Sequence, residues 1–254
     1  LIGLAFLSIC SFWQMYDNII PLILQNTYHL GETMTGAVMA LDNVLAIFLL
    51  PVFGALSDKV HTKLGRRMPF IVAGTILAVI FMMLLPMIDN AEKARWNTGE
   101  SFSNQVIFLA VLFFTLVSMG LYRSPAVALM PDVTPNHLRS RANAVINLMG
   151  AVGGVYALIM IKVLVGKGET PDYLPLFASI AAVMASAVGI LVITIRENKL
   201  REEVEKAEAA NAGTIEEKAM AEGVEAAGEI EAVGDTGEIK SFDGKKQTGK
   251  TEGT

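Results

Sequence analysis

Six long apolar runs decide what this chain can become. They lie at about 2–25, 33–56, 69–88, 105–130, 140–164 and 174–195. A helix that crosses a bilayer needs about 20 mostly apolar residues. Spanning strands would be about 9–11 residues long with strict alternation, and the runs do not alternate. Hydrocarbon supplies no hydrogen bonds to a backbone, so each run must satisfy its own groups as a helix. The expected fold class is an all-α membrane protein, a six-helix bundle over 1–196.

Charge divides the chain at the same place. Residues 1–196 carry 12 Lys and Arg against 10 Asp and Glu, a net of +2, whereas 197–254 carry 8 against 15, a net of -7. The second part is rich in Glu and Gly, with Phe242 as its one aromatic residue. Such a composition buries too little apolar surface to offset ordering entropy, so a largely disordered acidic tail is expected over 197–254, with room for a short amphipathic helix near Glu202–Ala210.

The joints between runs set the orientation. Lys59, Lys63, Arg66 and Arg67 follow the second run, Arg139 and Arg141 the fourth, and Arg196, Lys199 and Arg201 the sixth. The opposite joints mix Lys93, Arg95 and Lys167 with Asp89, Glu92, Glu100, Glu169 and Asp172. Basic short loops stay in the cytoplasm, so both ends of the chain are expected there, in a multi-pass protein of the cell membrane. Thr134-Pro135 reads as an N-cap followed by a first-turn proline opening the fifth helix. The chain begins with Leu1 inside its first run, which is too long for a signal-peptide core; a clipped start is expected.

Ionisable groups inside such helices each cost at least about 2.5–3.5 kcal/mol at the membrane centre, so each needs a reason. Asp17, Asp42 and Arg123 stand out. At 1.5 Å per residue, Asp42 lies about 14 Å and Asp17 about 12 Å from the outer face, so the two carboxylates share a level. Gln14 and Asn18 neighbour Asp17, Asn43 adjoins Asp42, and Tyr122 adjoins Arg123. Two readings fit: a polar seam that orients helices, or a water-filled path with a titrating carboxylate. Two carboxylates in a poorly solvated site resist ionising together, which suits a group that loads and releases a proton near neutral pH. Asn, Gln and Tyr offer the donors and acceptors that sugar hydroxyls require. Asn143 and Asn147, one turn apart, either face the cavity or bond a neighbouring helix. Gly150, Gly153 and Gly154 are read as a surface for close helix packing. Cys10 is read as a buried bystander.

Nothing in the sequence matches a nucleotide-binding loop, a nucleophile elbow or a zinc-protease motif. His29, His61 and His137 have no metal-ligand spacing, so no catalytic residue, cofactor or metal is expected. The bases map to membrane joints, which argues against a nucleic-acid partner.

The stretch GALSDKVHTKLGRRMPFI, residues 54–71, carries a spacing that orientation alone does not require. Gly54-x-x-x-Asp58 followed by Gly65-Arg66-Arg67 resembles the loop motif between helices 2 and 3 of the major facilitator superfamily. Leu56-Ser57-Asp58 and Gly65 to Ile71, with ALMPDVTPNHLRSRAN at 128–143, resemble the sucrose/proton branch of the glycoside–pentoside–hexuronide cation symporters. The resemblance spans all six runs. It implies the N-terminal half, a 3+3 helix repeat, of a twelve-helix transporter, with 197–254 as the central loop and a missing C-terminal six-helix half as partner. It implies alternating-access symport of a sugar or glycoside with a proton. Asp58 would then latch onto the other half, Gly54 would permit close packing there, and Arg66 or Arg67 would pair with Asp132. Ala46 and Leu50 stand where the sodium-coupled branch has acids, which points to protons. Arg123 stands where sucrose-type members have an acid, leaving Asp17 or Asp42 to carry the proton, with Asn43, Gln14, Arg123 and Asn147 in support. GAVGG at 150–154 lacks the Gly-Pro pattern of antiporters, which points to symport. A self-contained six-helix homodimer or scaffold is the other class of reading.

Overall fold

The structure is a computed structural model that describes residues 2–60, 62, 65–96, 105–166, 171–195, 197–204 and 206. Its helices are α1 (Ile2–Asn26), α2 (Glu32–Lys59), α3 (Met68–Trp96), α4 (Gln105–Asp132), α5 (Arg139–Leu164) and α6 (Leu174–Thr194). All six expected runs are helical. Five of them, α2 to α6, are apolar throughout a membrane-spanning length. The first, α1, is 25 residues long but carries Gln14, Asp17 and Asn18 near its middle.

The helix ends differ from expectation where polar residues continue a helix past the hydrocarbon limit. Helix α2 runs on to Lys59, so Asp58 sits on its last turn rather than in a loop. Helix α3 was expected to stop at 88 and continues to Trp96. Its extra turns hold Asp89, Glu92 and Lys93, and the first two are buried. The fifth helix opens one turn late. Pro135 precedes a 3₁₀ turn, Asn136–Leu138, and α5 follows at Arg139, so Thr134 is not its N-cap.

Packing follows a repeat. Helix α1 packs chiefly on α5 and α6, while α4 packs on α2 and α3, and α3 meets α6. Exchanging α1–α3 with α4–α6 maps this pattern onto itself, as a 3+3 repeat requires. The core is built from the inner faces of α1 (Phe12, Met15, Tyr16, Ile19), α4 (Leu112, Met119, Tyr122) and α6 (Phe177, Met184). In contrast α2 buries only Thr35 and Ser57 and exposes Val44, Ile47, Phe48 and Val52.

Lipid gives little drive for helix association, so close contact and interhelical hydrogen bonds must supply it. A β-carbon on Gly153 would collide with the Leu7 carbonyl, and one on Gly150 would meet Cys10 Sγ at 2.9 Å. Ser11 Oγ lies 2.8 Å from Leu7 O and 2.9 Å from Gly153 O, so its one proton is shared between its own helix and the α5 backbone. The α5 glycines thus serve the packing expected of them. A matching approach that the sequence did not announce joins α3 to α4, where a β-carbon on Gly74 would sit 2.6 Å from the Tyr122 nitrogen. Across α1 and α4, the Tyr122 hydroxyl lies 2.7 Å from Ser8 Oγ and 3.1 Å from Ala5 O, all buried.

One end of the bundle is pinned by a polar cluster. Thr27 Oγ1 donates to Asp89 at 2.6 Å, and Lys93 bridges Asp89 and the Pro171 carbonyl, each at 2.6 Å, with its ammonium 4.5 Å from the centroid of Tyr173. Asn90 donates to Asp172, whose carboxylate also accepts the Leu174 N–H that opens α6.

Candidate functional site

The membrane-embedded polar groups gather around α1. A cleft of about 500 Å³ between α1 and α5 is lined by Gln14, Asp17 and Asn147, with Trp13, Cys10 and Gly154 among the remaining walls. Its size falls within the range of small-molecule sites, about 300–1,000 Å³. Its polar groups complement one another, since Gln and Asn both donate and accept while an ionised carboxylate only accepts. The Gln14 carbonyl also receives Asn18 Nδ2 at 2.7 Å, which ties Asn18 along the helix.

On the other side of α1, a crevice of about 20 Å³ is lined by Trp13, Asp42, Gly120 and Arg123 with leucines. That is room for about one water molecule. Asn43 Nδ2 donates to Asp42 Oδ1 at 3.0 Å. The Arg123 guanidinium lies over the Trp13 ring, 5.5 Å from its centroid, a cation–π arrangement.

Sequence reasoning placed these residues unevenly. Gln14, Asp17 and Asn147 share one cavity, and Asp42 and Arg123 share another. Asn143, one turn from Asn147, is exposed and lines neither. Tyr122 is not a ligand candidate here, because its hydroxyl is consumed by Ser8 and Ala5. Cys10 is half-buried and borders the cleft rather than lying in the core. Trp13 was missed. A tryptophan inside an apolar run carries no signal that separates packing from site-lining.

A second polar cluster forms at the end where α2, α4 and α6 finish. Arg67 binds Asp132 through Nε at 2.5 Å, Asp58 through Nη2 at 3.0 Å and Ser57 Oγ through Nη1 at 3.2 Å. Of the two arginines, Arg67 makes the pair with Asp132; Arg66 Nε is buried with no hydrogen-bond partner among the described residues. The Arg67 side chain is 8% exposed and Asp58 52%, so Asp58 retains an open side. Gly54 faces α4 rather than open space, since a β-carbon there would meet Ser124 Oγ at 3.4 Å, and Ser124 donates to Leu50 O at 2.7 Å.

Glu197 completes this cluster. Residues 197–204 are helical, and Glu197 is 1% exposed. Its carboxylate accepts the backbone N–H groups of Arg66 (2.9 Å), Arg67 (3.1 and 3.2 Å) and Met68 (3.1 Å). Helix α3 starts without a local Ser, Thr, Asp or Asn cap, so its free N–H groups take a carboxylate from the far end of the chain. Gly65, at φ 123°, makes the turn that allows this approach. The first turns of the expected tail therefore belong to the bundle. The uncapped start of α3 was a signal for an outside acceptor. Residues from 207 onward, and with them most of the expected tail, as well as His61 and Lys63, lie outside the described residues.

A sequence model described as Major Facilitator Superfamily matches residues 2–233. The chain belongs to that superfamily. Among curated proteins, the chain is 26% identical over 137 residues to sucrose transport protein SUT3 of Oryza sativa subsp. japonica, covering 51% of this chain and 27% of the relative. It is 35% identical over 116 residues to sucrose transport protein SUC4 of Arabidopsis thaliana, covering 43% of this chain and 22% of the relative. It is 24% identical over 151 residues to sucrose transport protein SUT4 of Oryza sativa subsp. indica, covering 56% and 25%. The chain thus matches about a quarter of the length of these relatives. Superfamily membership makes it a multi-pass membrane protein of a transporter family, and the six helices are the 3+3 bundle of that fold.

Proposed function

We propose that the full protein is a secondary active transporter that moves a sugar or glycoside together with a proton by alternating access. This chain would be its N-terminal bundle, with both ends cytoplasmic and the plasma membrane as its location. The observation that carries the reading is the α1/α5 cleft, where Gln14, Asp17 and Asn147 converge. Amides beside a carboxylate suit the mixed donors and acceptors of a polyol. The relatives named as sucrose transport proteins support a sugar of that class. Asp17 or Asp42 would carry the proton, with Asn43 and Arg123 tuning Asp42.

The Arg67 cluster supports a latch. Asp58 shares Arg67 with Asp132 and keeps half of its surface open, so a helix N-terminus of the other half would compete for it. Breaking and remaking that contact would mark the change between outward-facing and inward-facing states. Arg66, Gly65 and Gly54 would hold the geometry around it.

The exposed apolar face of α2 supports a neighbouring bundle against this one. A second copy of this chain, acting as a homodimeric transporter or scaffold, is the alternative occupant. Purified full-length protein in proteoliposomes tests the main reading. Labelled sucrose should accumulate only under an inwardly directed proton gradient, and neutralising the proton carrier, by Asp17→Asn or by Asp42→Asn, should abolish accumulation. Equal uptake with and without the gradient would sink proton coupling.

A further inference from the structure

Among the described residues, Trp13 is the one side chain that lines both the α1/α5 cleft and the Asp42–Arg123 crevice. The two spaces differ in what they admit. The cleft has room for a sugar, while the crevice admits about one water. A sugar in the cleft and a proton on Asp42 would therefore occupy separate compartments, with the indole as the wall between them.

The wall is held in a defined way. Trp13 meets Phe12 and Tyr16 edge-on, with centroids 5.4 Å apart and planes at 81° in both pairs. Arg123 lies over the ring from α4. The indole Nε1 is buried and has no hydrogen-bond partner among the described residues, so the ring gains when an acceptor is brought to it. A ring fixed by aromatic edges but lacking its hydrogen bond is poised to shift.

We propose that Trp13 is a positioning residue that couples the two compartments. Sugar packing against the cleft side of the indole shifts the ring, and Arg123 on the other side moves with it relative to Asp42. That movement changes how readily Asp42 takes up a proton. The charged and titratable groups acting on Asp42 are Arg123 from α4 and Asp17 and Tyr16 from α1, with Asn43 bonded to it on α2. Asp17 belongs to the cleft lining itself and Tyr16 touches the indole edge, whereas Arg123 is joined to the cleft through the indole. By linkage, the proton then tightens sugar binding by the same factor. This inference rests on the proton-coupled sugar reading above.

The test is calorimetric titration of the detergent-solubilised full-length protein with sucrose and a panel of glycosides, at acidic and alkaline pH. Wild type should bind its best ligand about 5–150-fold tighter at acidic pH, the usual range of a coupling between two sites. Trp13→Phe, which removes the N–H and narrows the wall, should bring the ratio between acidic and alkaline affinity close to 1, whatever the affinity at either pH. Arg123→Gln should do the same, and Trp13→Tyr provides a second replacement if the first is poorly folded. A ratio unchanged in both Trp13 variants overturns the role of Trp13. So does equal weakening at both pH values, which is what a merely structural tryptophan would produce. Sugar binding by wild type without pH dependence, or no binding of any panel member, instead overturns the underlying transport reading.

Discussion

The Glu197 carboxylate receives the backbone N–H of Arg67 through both of its oxygens, at 3.2 and 3.1 Å. With the Arg66 and Met68 N–H groups added, one side chain from the helical stretch that follows α6 caps the start of α3. The start of α3 is thereby tied to the chain beyond α6 at the same end at which the arginine cluster forms.

Glu197→Ala should destabilise the protein by about 2 kcal/mol, the upper range for loss of an N-cap, since three backbone donors lose their acceptor at once. Glu197→Gln, which keeps one acceptor oxygen, should cost less. Gly65→Ala should be at least as harmful, because Gly65 has φ 123° and a β-carbon there would strike the Glu197 side chain. Thermal unfolding in detergent orders the three variants. An alanine at 197 as stable as wild type would remove the capping role.

Arg67 and Asp132 form a pair that is mostly withdrawn from solvent, with side chains 8% and 20% exposed. A double-mutant cycle with Arg67→Ala and Asp132→Ala should show a coupling energy of about 0.5–3 kcal/mol. Arg67→Lys should not restore it, because one ammonium cannot reproduce the fork that reaches Asp132, Asp58 and Ser57 together. Additive single effects would mean that the two residues act independently.

Gly153→Ala places a methyl group against the Leu7 backbone, which cannot yield as a flexible side chain would. The cost expected from such overpacking is about 1–3 kcal/mol, seen as a lower melting temperature and a smaller folded yield. Gly36→Ala is the matched control on α2, with nothing within 4 Å of the added carbon, and should be neutral or slightly stabilising. Equal effects at the two positions would contradict the close α1–α5 contact.

Lys93→Ala leaves the Asp89 carboxylate, which is 0% exposed, with the Thr27 hydroxyl as its one remaining side-chain partner among the described residues. Removing one member of a buried pair costs about 3–5 kcal/mol. Asp89→Asn combined with Lys93→Ala should recover much of that loss, since no buried charge then remains. Chemical denaturation of the three proteins decides it, and a single variant no worse than the double one would refute the account.

The sequence by itself determined the helices, the bundle and the superfamily. Six runs of spanning length leave the backbone one way to satisfy itself, and the Gly54–Asp58–Gly65–Arg67 spacing marks the loop between α2 and α3. It also named the polar groups that hydrocarbon would not tolerate without a reason, among them Asp17, Asp42 and Arg123. Only the tertiary structure decided how they group. A helix face depends on which neighbour it meets, so Asn147 entering the cleft while Asn143 stays outside was not legible from a spacing of one turn. The partition by Trp13, the Gly74–Tyr122 approach and the Glu197 cap each join residues far apart in the chain. Such contacts are set by how helices pack, a choice that local apolarity and periodicity do not encode.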